Sequence, residues 1–309
     1  MIQTFKSGLP ILAIHGGAGD LRPEDLDPEQ AAAYKAALKR VLEAVWPRLK
    51  AGETALDMAV EAVRLLEDEP LFNAGKGSVF SAEETHEMDA CVMCGRTHQA
   101  GAIAGVQNLR NPVLLAKEVL PEKNFVLLGG DGAEQYGKER GHIFEDAAYF
   151  YTQARYEQLK RAQQDSIVAL DHHKYGTVGA VVVDQEGHCA AATSTGGLTN
   201  KQYGRIGDSP IPGAGTYAED SLCAVSCTGY GEPFLLRSAA YQVAARIRYG
   251  GVDLKEAVRA TVEEDLVQYD GDGGLIAVAP DGEIVFGYNS AMMYRGWMGA
   301  SIEMGVGIA

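Results

Sequence analysis

A threonine stands where the sequence changes abruptly in character. In the stretch DHHKYGTVGAVVVD, residues 171–184, the residues before Gly176 are mostly polar, whereas those after it are mostly Val, Gly and Ala. A threonine hydroxyl is a poor nucleophile unless a base accepts its proton. Cleavage of the chain before Thr177 would supply that base, because the new α-amino group has a reference pKa of about 8 and is held beside the hydroxyl.

Gly176 fits this chemistry as well. Self-cleavage requires the carbonyl of this residue to be presented to the hydroxyl in a strained turn, and glycine tolerates backbone conformations that other residues avoid. A Gly-Thr pair before an apolar run is also typical of an ordinary turn that enters a strand. Taken alone, the Gly-Thr pair favours an ordinary turn. The choice between a turn and a self-cleavage site therefore depends on the rest of the sequence.

Other sequence signatures of catalysis or ligand binding are weak. The sequence contains no G-x-S-x-G elbow, no G-x-x-x-x-G-K-[ST] loop and no strand-led G-x-G-x-x-G, which argues against a serine hydrolase and a nucleotide-binding module. The Cys91-x-x-Cys94 pair lies in an apolar run with no second such pair, so buried inert thiols are expected rather than a zinc site. A metal site from His172, His173, His188 and Cys189 remains an alternative, although the first two lie in a predicted linker.

Composition narrows the class of protein. The chain has 309 residues, 37 glycines and a net charge of −15. Without a basic stripe this charge argues against a nucleic-acid partner. The odd, scattered set of five cysteines is unlike a disulfide framework. No apolar run is long enough to span a membrane and no signal-peptide pattern opens the sequence, so a cytoplasmic protein with no membrane association is expected.

The elements that must position Thr177 alternate between helices and strands. The run LPILAI, residues 9–14, predicts a buried strand that enters a glycine turn at HGGAG, residues 15–19. Residues 28–49 and 55–68 are predicted as amphipathic helices, the second with a capping box at Thr54. The runs TVGAVVVD and HCAAATST, which a glycine turn separates, predict an antiparallel hairpin, and the runs around Asp281-Gly282 predict another. Residues 232–250 and 253–266 are predicted as helices, and residues of about 155–176 as a linker. Paired helices with antiparallel strands predict an α+β fold of sheets covered by helices.

Several blocks of the sequence, in the same order, resemble the plant-type (type III) L-asparaginase and isoaspartyl peptidase family of N-terminal-nucleophile hydrolases. The segment from Gly176 to Ala218, GTVGAVVVDQEGHCAAATSTGGLTNKQYGRIGDSPIPGAGTYA, carries the strongest resemblance, and SCTGYGE at 226–232 follows it. IHGGAG (14–19), LEDEPLFNAGKGSVF (66–80) and AGAIAGVQNLRNPVLLAKEVL (100–120) match upstream blocks. The resemblance implies a four-layer αββα sandwich with central antiparallel sheets, formed by residues 1–309 as a single domain.

The resemblance also implies how the protein matures and what it acts on. Autoproteolysis between Gly176 and Thr177 would give an α subunit, 1–176, and a β subunit, 177–309, which assemble as an (αβ)2 dimer of heterodimers. The implied substrates are small molecules, L-asparagine and β-aspartyl dipeptides, and no organic cofactor is implied. Glycosylasparaginase is the alternative activity, but it would be lysosomal or periplasmic, with a signal peptide and disulfides. Its nucleophile normally follows Asp, where this sequence has Gly176, and its second block has S-T-N-G where this sequence has STGG.

Roles for single residues follow from the matched blocks. Thr177 matches the nucleophile, and Thr195 matches the second threonine that hydrogen-bonds near it. Arg205 matches the residue that binds the α-carboxylate of the substrate, for which a planar guanidinium is well suited. Asp208 matches the acceptor for the α-ammonium group. Without the resemblance, a surface ion pair would be the simpler interpretation of this Arg and Asp.

The block TGYG and the loop before it supply the remaining roles. Thr228, through its hydroxyl, and Gly229, through its backbone N–H, match an oxyanion hole. Gly231 matches a position whose carbonyl meets the substrate amine, and Asn73 matches an asparagine beside the catalytic threonine. The loop LEDEPLFNAGKG resembles a structural Na⁺ site, in which main-chain carbonyl oxygens are chemically suitable ligands. The matching carbonyls are those of Leu66, Glu67, Glu69, Phe72, Ala74 and Lys76.

Overall fold

Runs of small and β-branched residues form the inner layers of the protein. The computed structural model describes residues 1–19, 22, 24, 26–165 and 176–308. Two sheets lie face to face, and helices cover the outer face of each. The strands, numbered in chain order, are β1 (Ile2–Lys6), β2 (Ile11–Gly19), β3 (Glu87–Cys94), β4 (Gln99–Gln107), β5 (Leu127–Gly129), β6 (Val178–Val183), β7 (Cys189–Thr195), β8 (Thr216–Glu219), β9 (Cys223–Gly229), β10 (Gly273–Val278), β11 (Glu283–Tyr288), β12 (Met292–Gly299) and β13 (Ile302–Gly307).

Strand order separates the two sheets. The larger sheet has the order β13-β12-β2-β6-β7-β3-β4-β5, and the smaller has β1-β11-β10-β9-β8. Every pairing between these strands is antiparallel except that of β4 with β5. Both faces of β6 and β7 are buried, because one face meets the smaller sheet and the other meets helices.

Helices form the two outer layers. They are α1 (Pro28–Lys50), α2 (Ala55–Glu67), α3 (Pro112–Val119), α4 (Gly130–Glu139), α5 (Ala147–Phe150), α6 (Gln153–Gln164), α7 (Gly231–Arg237), α8 (Ala239–Gly250) and α9 (Leu254–Ala260). The helices α1, α2 and α3 pack on the larger sheet, whereas α8 and α9 pack on the smaller one. Two hydrophobic cores result, one under each helical layer. The predicted αββα sandwich of the N-terminal-nucleophile type is confirmed.

The strand register places Thr177 at the middle of the larger sheet. Thr177 immediately precedes β6, the strand that pairs with β2 on one side and with β7 on the other. Val178 lies opposite Ser194, and Gly179 lies opposite His15. The residue is therefore held between two neighbouring strands and close to the smaller sheet.

Most predicted elements are present, and the exceptions have local causes. Both predicted hairpins form, and Thr54 caps α2 by accepting a 3.1 Å hydrogen bond from the Asp57 backbone N–H. The glycine turn expected at HGGAG instead continues β2, and a side chain at Gly16 would overlap the Phe72 ring. The helix predicted over 232–250 is divided at Ser238, which has φ 49°. The helix predicted over 253–266 passes into a π-helical turn after Ala260.

The segment predicted as a linker is partly helical. Helix α6 covers residues at its start, whereas residues 166–175, with His172 and His173, lie outside the described residues. Within the described residues, no helix is both long and apolar enough to cross a bilayer.

Candidate active site

Thr177 lies in a buried polar environment at the start of β6. Its side chain is 4% exposed, and its Oγ1 lies 3.1 Å from Oγ of Ser209. Ser209 is itself buried and follows Asp208 in the loop between β7 and β8. Sequence reasoning gave Ser209 no role, although it lies inside the matched block GRIGDSP. The two hydroxyls are in hydrogen-bonding distance, so Ser209 limits the rotamers open to the Thr177 side chain.

A small cavity surrounds this pair of hydroxyls and brings together most of the predicted site. Its walls are formed by Gly176, Thr177, Thr195, Gly197, Leu198, Arg205, Gly207, Asp208, Ser209 and Gly229. Six of the predicted residues therefore share one cavity, although they come from three separate stretches of the chain.

Thr228 and Gly229 form one wall of the site at the end of β9. The Thr228 hydroxyl is buried, and it has no hydrogen-bond partner within the described residues. Gly229 has φ 141°, and a side chain there would overlap the Asp272 carbonyl oxygen, so only glycine fits. A Cβ placed on Gly176 would lie 3.4 Å from Thr228 Oγ1 and 3.8 Å from the Gly229 nitrogen. The hydroxyl and the backbone amide thus lie next to the residue that precedes Thr177.

Asn73 joins two loops at the edge of the cavity. Its Nδ2 donates to the Gly197 carbonyl at 2.8 Å, and its Oδ1 accepts from the Val79 backbone N–H at 3.0 Å. The Thr195 hydroxyl accepts a 3.0 Å hydrogen bond from the Gly197 N–H. Asn73 and Thr195 therefore hold the same turn, on which the cavity wall at Gly197 depends.

Arg205 and Asp208 converge on one point of the site. A Cβ on Gly231 would lie 2.9 Å from both Arg205 Nη2 and Asp208 Oδ1. The glycine therefore leaves space in front of a cation and a carboxyl group. Arg205 also makes two hydrogen bonds to Glu232, of 2.9 Å from Nε and 2.7 Å from Nη2. Sequence reasoning did not identify Glu232.

The Asp208 carboxyl is poised to change its protonation state near neutral pH. Burial raises its pKa to about 7, and the neighbouring Arg205 cation opposes that rise. Its Oδ2 is buried without a hydrogen-bond partner within the described residues. A cationic partner at this oxygen would stabilise the charged carboxylate.

A chain of buried hydroxyls runs behind the site, between the two sheets. His15 Nε2 lies 2.9 Å from Ser226 Oγ, which lies 2.7 Å from Thr193 Oγ1. The Thr216 hydroxyl donates to Thr193 Oγ1 at 2.7 Å. Burial lowers the pKa of His15 to about 3, so the imidazole is neutral at ordinary pH. His15 therefore accepts or donates a hydrogen bond and carries no charge.

Both ends of this hydroxyl chain reach the Thr177 neighbourhood. The His15 ring faces the Thr177 backbone at one end. At the other end Thr216 Oγ1 lies 3.2 Å from the carbonyl oxygen of Ser209. His15 belongs to the matched block IHGGAG, but sequence reasoning assigned it no role.

Two glycines allow close backbone approaches in the loop that follows α2. A Cβ on Gly75 would lie 2.5 Å from the Glu67 carbonyl oxygen, and one on Gly77 would overlap the carbonyl oxygen of Phe72. Arg155 fixes the far side of this loop by donating from Nε to the Gly77 carbonyl at 2.9 Å. A loop in which glycines let carbonyl oxygens approach is suited to a hard cation.

Side-chain metal sites have no support within the part of the chain that the structure describes. No group of three or more His, Cys, Asp or Glu residues there could hold a metal ion. His188 Nδ1 instead contacts Asp220 Oδ2 at 2.6 Å. Cys91 and Cys94 are free thiols, and burial raises the pKa of Cys91 to about 12, as expected for an inert thiol.

Comparison with known proteins supports the family resemblance of the sequence blocks, and the similarity extends over most of the chain. The family model Asparaginase_2, described as asparaginase, matches residues 8–308. An isoaspartyl peptidase of Escherichia coli strain K12 is 49% identical over 298 residues, which cover 94% of this chain and 93% of that protein. A putative isoaspartyl peptidase/L-asparaginase of Dictyostelium discoideum is 42% identical, with 93% of each chain covered. A plant-type L-asparaginase of Pyrobaculum calidifontis is 38% identical, with 93% and 96% covered. The chain therefore belongs to the asparaginase family that this model describes, alongside plant-type L-asparaginases and isoaspartyl peptidases.

Proposed function

We propose that the protein is a hydrolase of L-asparagine and β-aspartyl dipeptides that activates itself by cutting its chain between Gly176 and Thr177. The observation that carries the proposal is the arrangement of the cavity. Thr177, Arg205, Asp208 and Gly229 all line this one cavity, which supports the roles proposed for them below. The 49% identity to an isoaspartyl peptidase supports the same substrate class.

Self-cleavage uses the hydroxyl and the donors that surround it. Thr177 Oγ1 attacks the Gly176 carbonyl carbon, and the amide nitrogen leaves as the new α-amine, so that an ester joins the two residues. Water then hydrolyses the ester and releases the Gly176 carboxylate. The proximity of Gly176 to the Thr228 hydroxyl and the Gly229 amide supports this step, because both can donate to the developing oxyanion.

Substrate hydrolysis repeats this chemistry on a second carbonyl. The free amine of Thr177 accepts the hydroxyl proton, and Oγ1 attacks the side-chain amide carbon of asparagine or the isopeptide carbon of a β-aspartyl peptide. Ammonia or an amino acid leaves with that proton, and water hydrolyses the β-aspartyl ester.

The head group common to both substrates binds on the other side of the cavity. Arg205 takes the α-carboxylate and Asp208 takes the α-ammonium group, aided by the Gly231 carbonyl. L-asparagine and β-aspartyl dipeptides both carry this α-carboxylate and this α-ammonium group. This explains how one pocket can serve an amide and an isopeptide.

We also propose that the loop after α2 binds a structural Na⁺ through the carbonyls of Leu66, Glu67, Glu69, Phe72, Ala74 and Lys76. The ion would hold the loop that carries Asn73, and so the turn at Gly197. Transfer into choline chloride buffer should lower the melting temperature, and NaCl at equal ionic strength should restore it. Equal melting temperatures in the two salts would contradict the ion site.

Two experiments test the proposed function. A denaturing gel of the purified protein should show two fragments, and N-terminal sequencing of the smaller should begin Thr-Val-Gly. Thr177→Ala should remain a single chain and release neither ammonia from L-asparagine nor amino acid from a β-aspartyl dipeptide. Turnover by a stable single chain of Thr177→Ala would contradict the mechanism. The cleaved protein is proposed to be a cytoplasmic (αβ)2 dimer of heterodimers, whose mass light scattering would measure.

A further inference from the structure

We propose that Glu232 is a positioning residue that orients Arg205 for the substrate α-carboxylate. This inference rests on the proposed function, and it assigns a task to a residue that the catalytic chemistry does not use. Glu232 lies in the first turn of α7, four residues after Thr228. One short stretch of chain thereby supplies both the oxyanion donors and the support for Arg205.

The hydrogen-bond pattern leaves one edge of the guanidinium open. Glu232 accepts from Nε and from Nη2 of Arg205, so that it occupies the side edge of the planar group. A guanidinium has five N–H donors, and three remain on Nη1 and Nη2 after this contact. Two of these three, one on Nη1 and one on Nη2, form the end-on edge, which can bind a second carboxylate with two parallel hydrogen bonds.

Two glycines of the site lie close to the Nη groups of the Arg205 guanidinium. A Cβ on Gly207 would lie 2.9 Å from Arg205 Nη1, and one on Gly231 would lie 2.9 Å from Nη2. Gly207 lines the cavity, and Asp208 Oδ1 is equally close to the position that a Gly231 side chain would occupy. The end-on edge therefore lies where the α-carboxylate of a substrate with its ammonium on Asp208 would be bound.

The burial of the Arg205 side chain distinguishes this contact from an ordinary surface ion pair. The Arg205 side chain is 18% exposed and that of Glu232 is 38% exposed. Without Glu232 the long Arg205 side chain would rotate about several bonds, and substrate binding would have to restrict that motion. Glu232 restricts it in advance, so its removal should weaken binding more than it slows the chemical step.

The test compares Glu232→Gln and Glu232→Ala with the wild type, all as cleaved enzymes. Both variants should raise KM for L-asparagine about tenfold or more and leave kcat within about twofold. Glutamine should not rescue KM, because its amide N–H₂ would face the Nη2 donor of Arg205. Glu232→Asp, which keeps the charge, should restore part of the loss.

A second substrate separates orientation from general damage. L-asparagine α-amide lacks the carboxylate that Arg205 would bind, so its kcat/KM should be equal in the wild type and in Glu232→Gln. Equal KM values for L-asparagine in the wild type and Glu232→Gln would overturn the inference, as would a parallel loss with both substrates. Absence of any turnover by the wild type would instead contradict the proposed function.

Glu256→Gln is the matched control. Glu256 accepts from Nε and Nη2 of Arg259 at 2.7 and 2.6 Å, and it is 45% exposed, but the pair lies on α9 in the outer layer. This variant removes the same kind of ion pair and should keep the wild-type KM. A tenfold increase in KM for Glu256→Gln would show that the effect is not local to Arg205, which would also overturn the inference.

Discussion

The hydroxyl oxygens of Thr177 and Ser209 lie 3.1 Å apart, with both side chains buried. A nucleophile that must attack along a fixed direction depends on its rotamer, and this neighbour restricts that rotamer. The Ser209 hydroxyl is not the group that Thr177 attacks, and it carries no charge. It therefore acts by positioning, and its importance should be moderate.

Ser209→Ala should lower kcat for L-asparagine about three- to tenfold, as expected for the loss of one hydrogen bond of about 0.5–1.5 kcal/mol. KM should change little, because the proposed binding of the substrate head group depends on Arg205 and Asp208 and not on Ser209. Steady-state kinetics of the cleaved enzyme measures both values. Ser221→Ala, on the exposed turn before β9, is the control and should match the wild type. A wild-type kcat in Ser209→Ala would contradict the positioning role.

Substrate affinity should depend on pH through Asp208. Its raised pKa of about 7 means that the carboxyl is neutral below pH 7 and charged above it. Since only the charged form pairs with an α-ammonium group, kcat/KM should fall up to about tenfold for each pH unit below 7. Competitive inhibition by L-aspartate should likewise become weaker as the pH is lowered from 8 to 5.5. An inhibition constant that stays flat across that range would contradict this role.

The same pKa has an opposite effect on folding stability. An aspartate in an unfolded chain has a pKa of about 3.9, so between pH 4 and 7 the folded state binds a proton that the unfolded state has lost. The contribution of Asp208 should therefore favour folding at acid pH and be lost as pH rises through 7. Urea unfolding of Thr177→Ala and of Thr177→Ala with Asp208→Asn should show a difference in stability that changes in this direction.

The buried hydroxyl chain should contribute to the free energy of unfolding, but it should add no titrating group to the pH profile of activity. Ser226→Ala leaves His15 Nε2 without its partner, which should lower the free energy of unfolding by about 1–3 kcal/mol. Urea unfolding in the single-chain Thr177→Ala background measures this loss, with Ser221→Ala as control. The pH profile of cleaved Ser226→Ala should keep the wild-type shape above pH 5, because His15 is already neutral there. A new titration near pH 6.5 would contradict this account.

Gly77 and Gly132 differ in how much space surrounds them. A side chain at Gly77 would overlap the Phe72 carbonyl oxygen, whereas one at Gly132 would meet nothing within 4 Å. Gly77→Ala should destabilise the protein and reduce activity, because the loop that carries Asn73 must shift. Gly132→Ala, inside α4, should raise stability by about 0.5–1 kcal/mol and leave activity unchanged. Thermal unfolding and activity assays distinguish these outcomes, and equal melting temperatures for the two variants would contradict them.

Regular patterns and matched blocks made much of the fold predictable from the sequence. The β6–β7 hairpin is visible as two apolar runs around a glycine turn, and the first two helices are visible from their spacing. The division at Ser238 was missed because a left-handed residue at a helix junction is commonly glycine, and here it is serine. The strand through HGGAG was missed because glycine serves there for a close approach to Phe72 rather than for a turn.

The candidate site could be predicted only in part, for a physical reason. Arg205 and Asp208 entered the candidate site through the family resemblance, but Glu232, the partner of Arg205, lies 27 residues further along the chain than Arg205. Ser209 and His15 have residue types that occur everywhere in proteins. Their roles come from tertiary contacts between strands, and no local pattern carries that information.

Gly176 lies beside the Thr228 hydroxyl and the Gly229 amide, where a substrate carbonyl would bind. In the uncleaved chain Gly176 itself occupies this position. Because it is covalently attached to Thr177, its local concentration does not depend on the concentration of any free molecule. Under the proposed mechanism, newly made protein is inactive until the bond after Gly176 is cut and this residue leaves the site. The rate of that cleavage would then set how quickly activity follows synthesis.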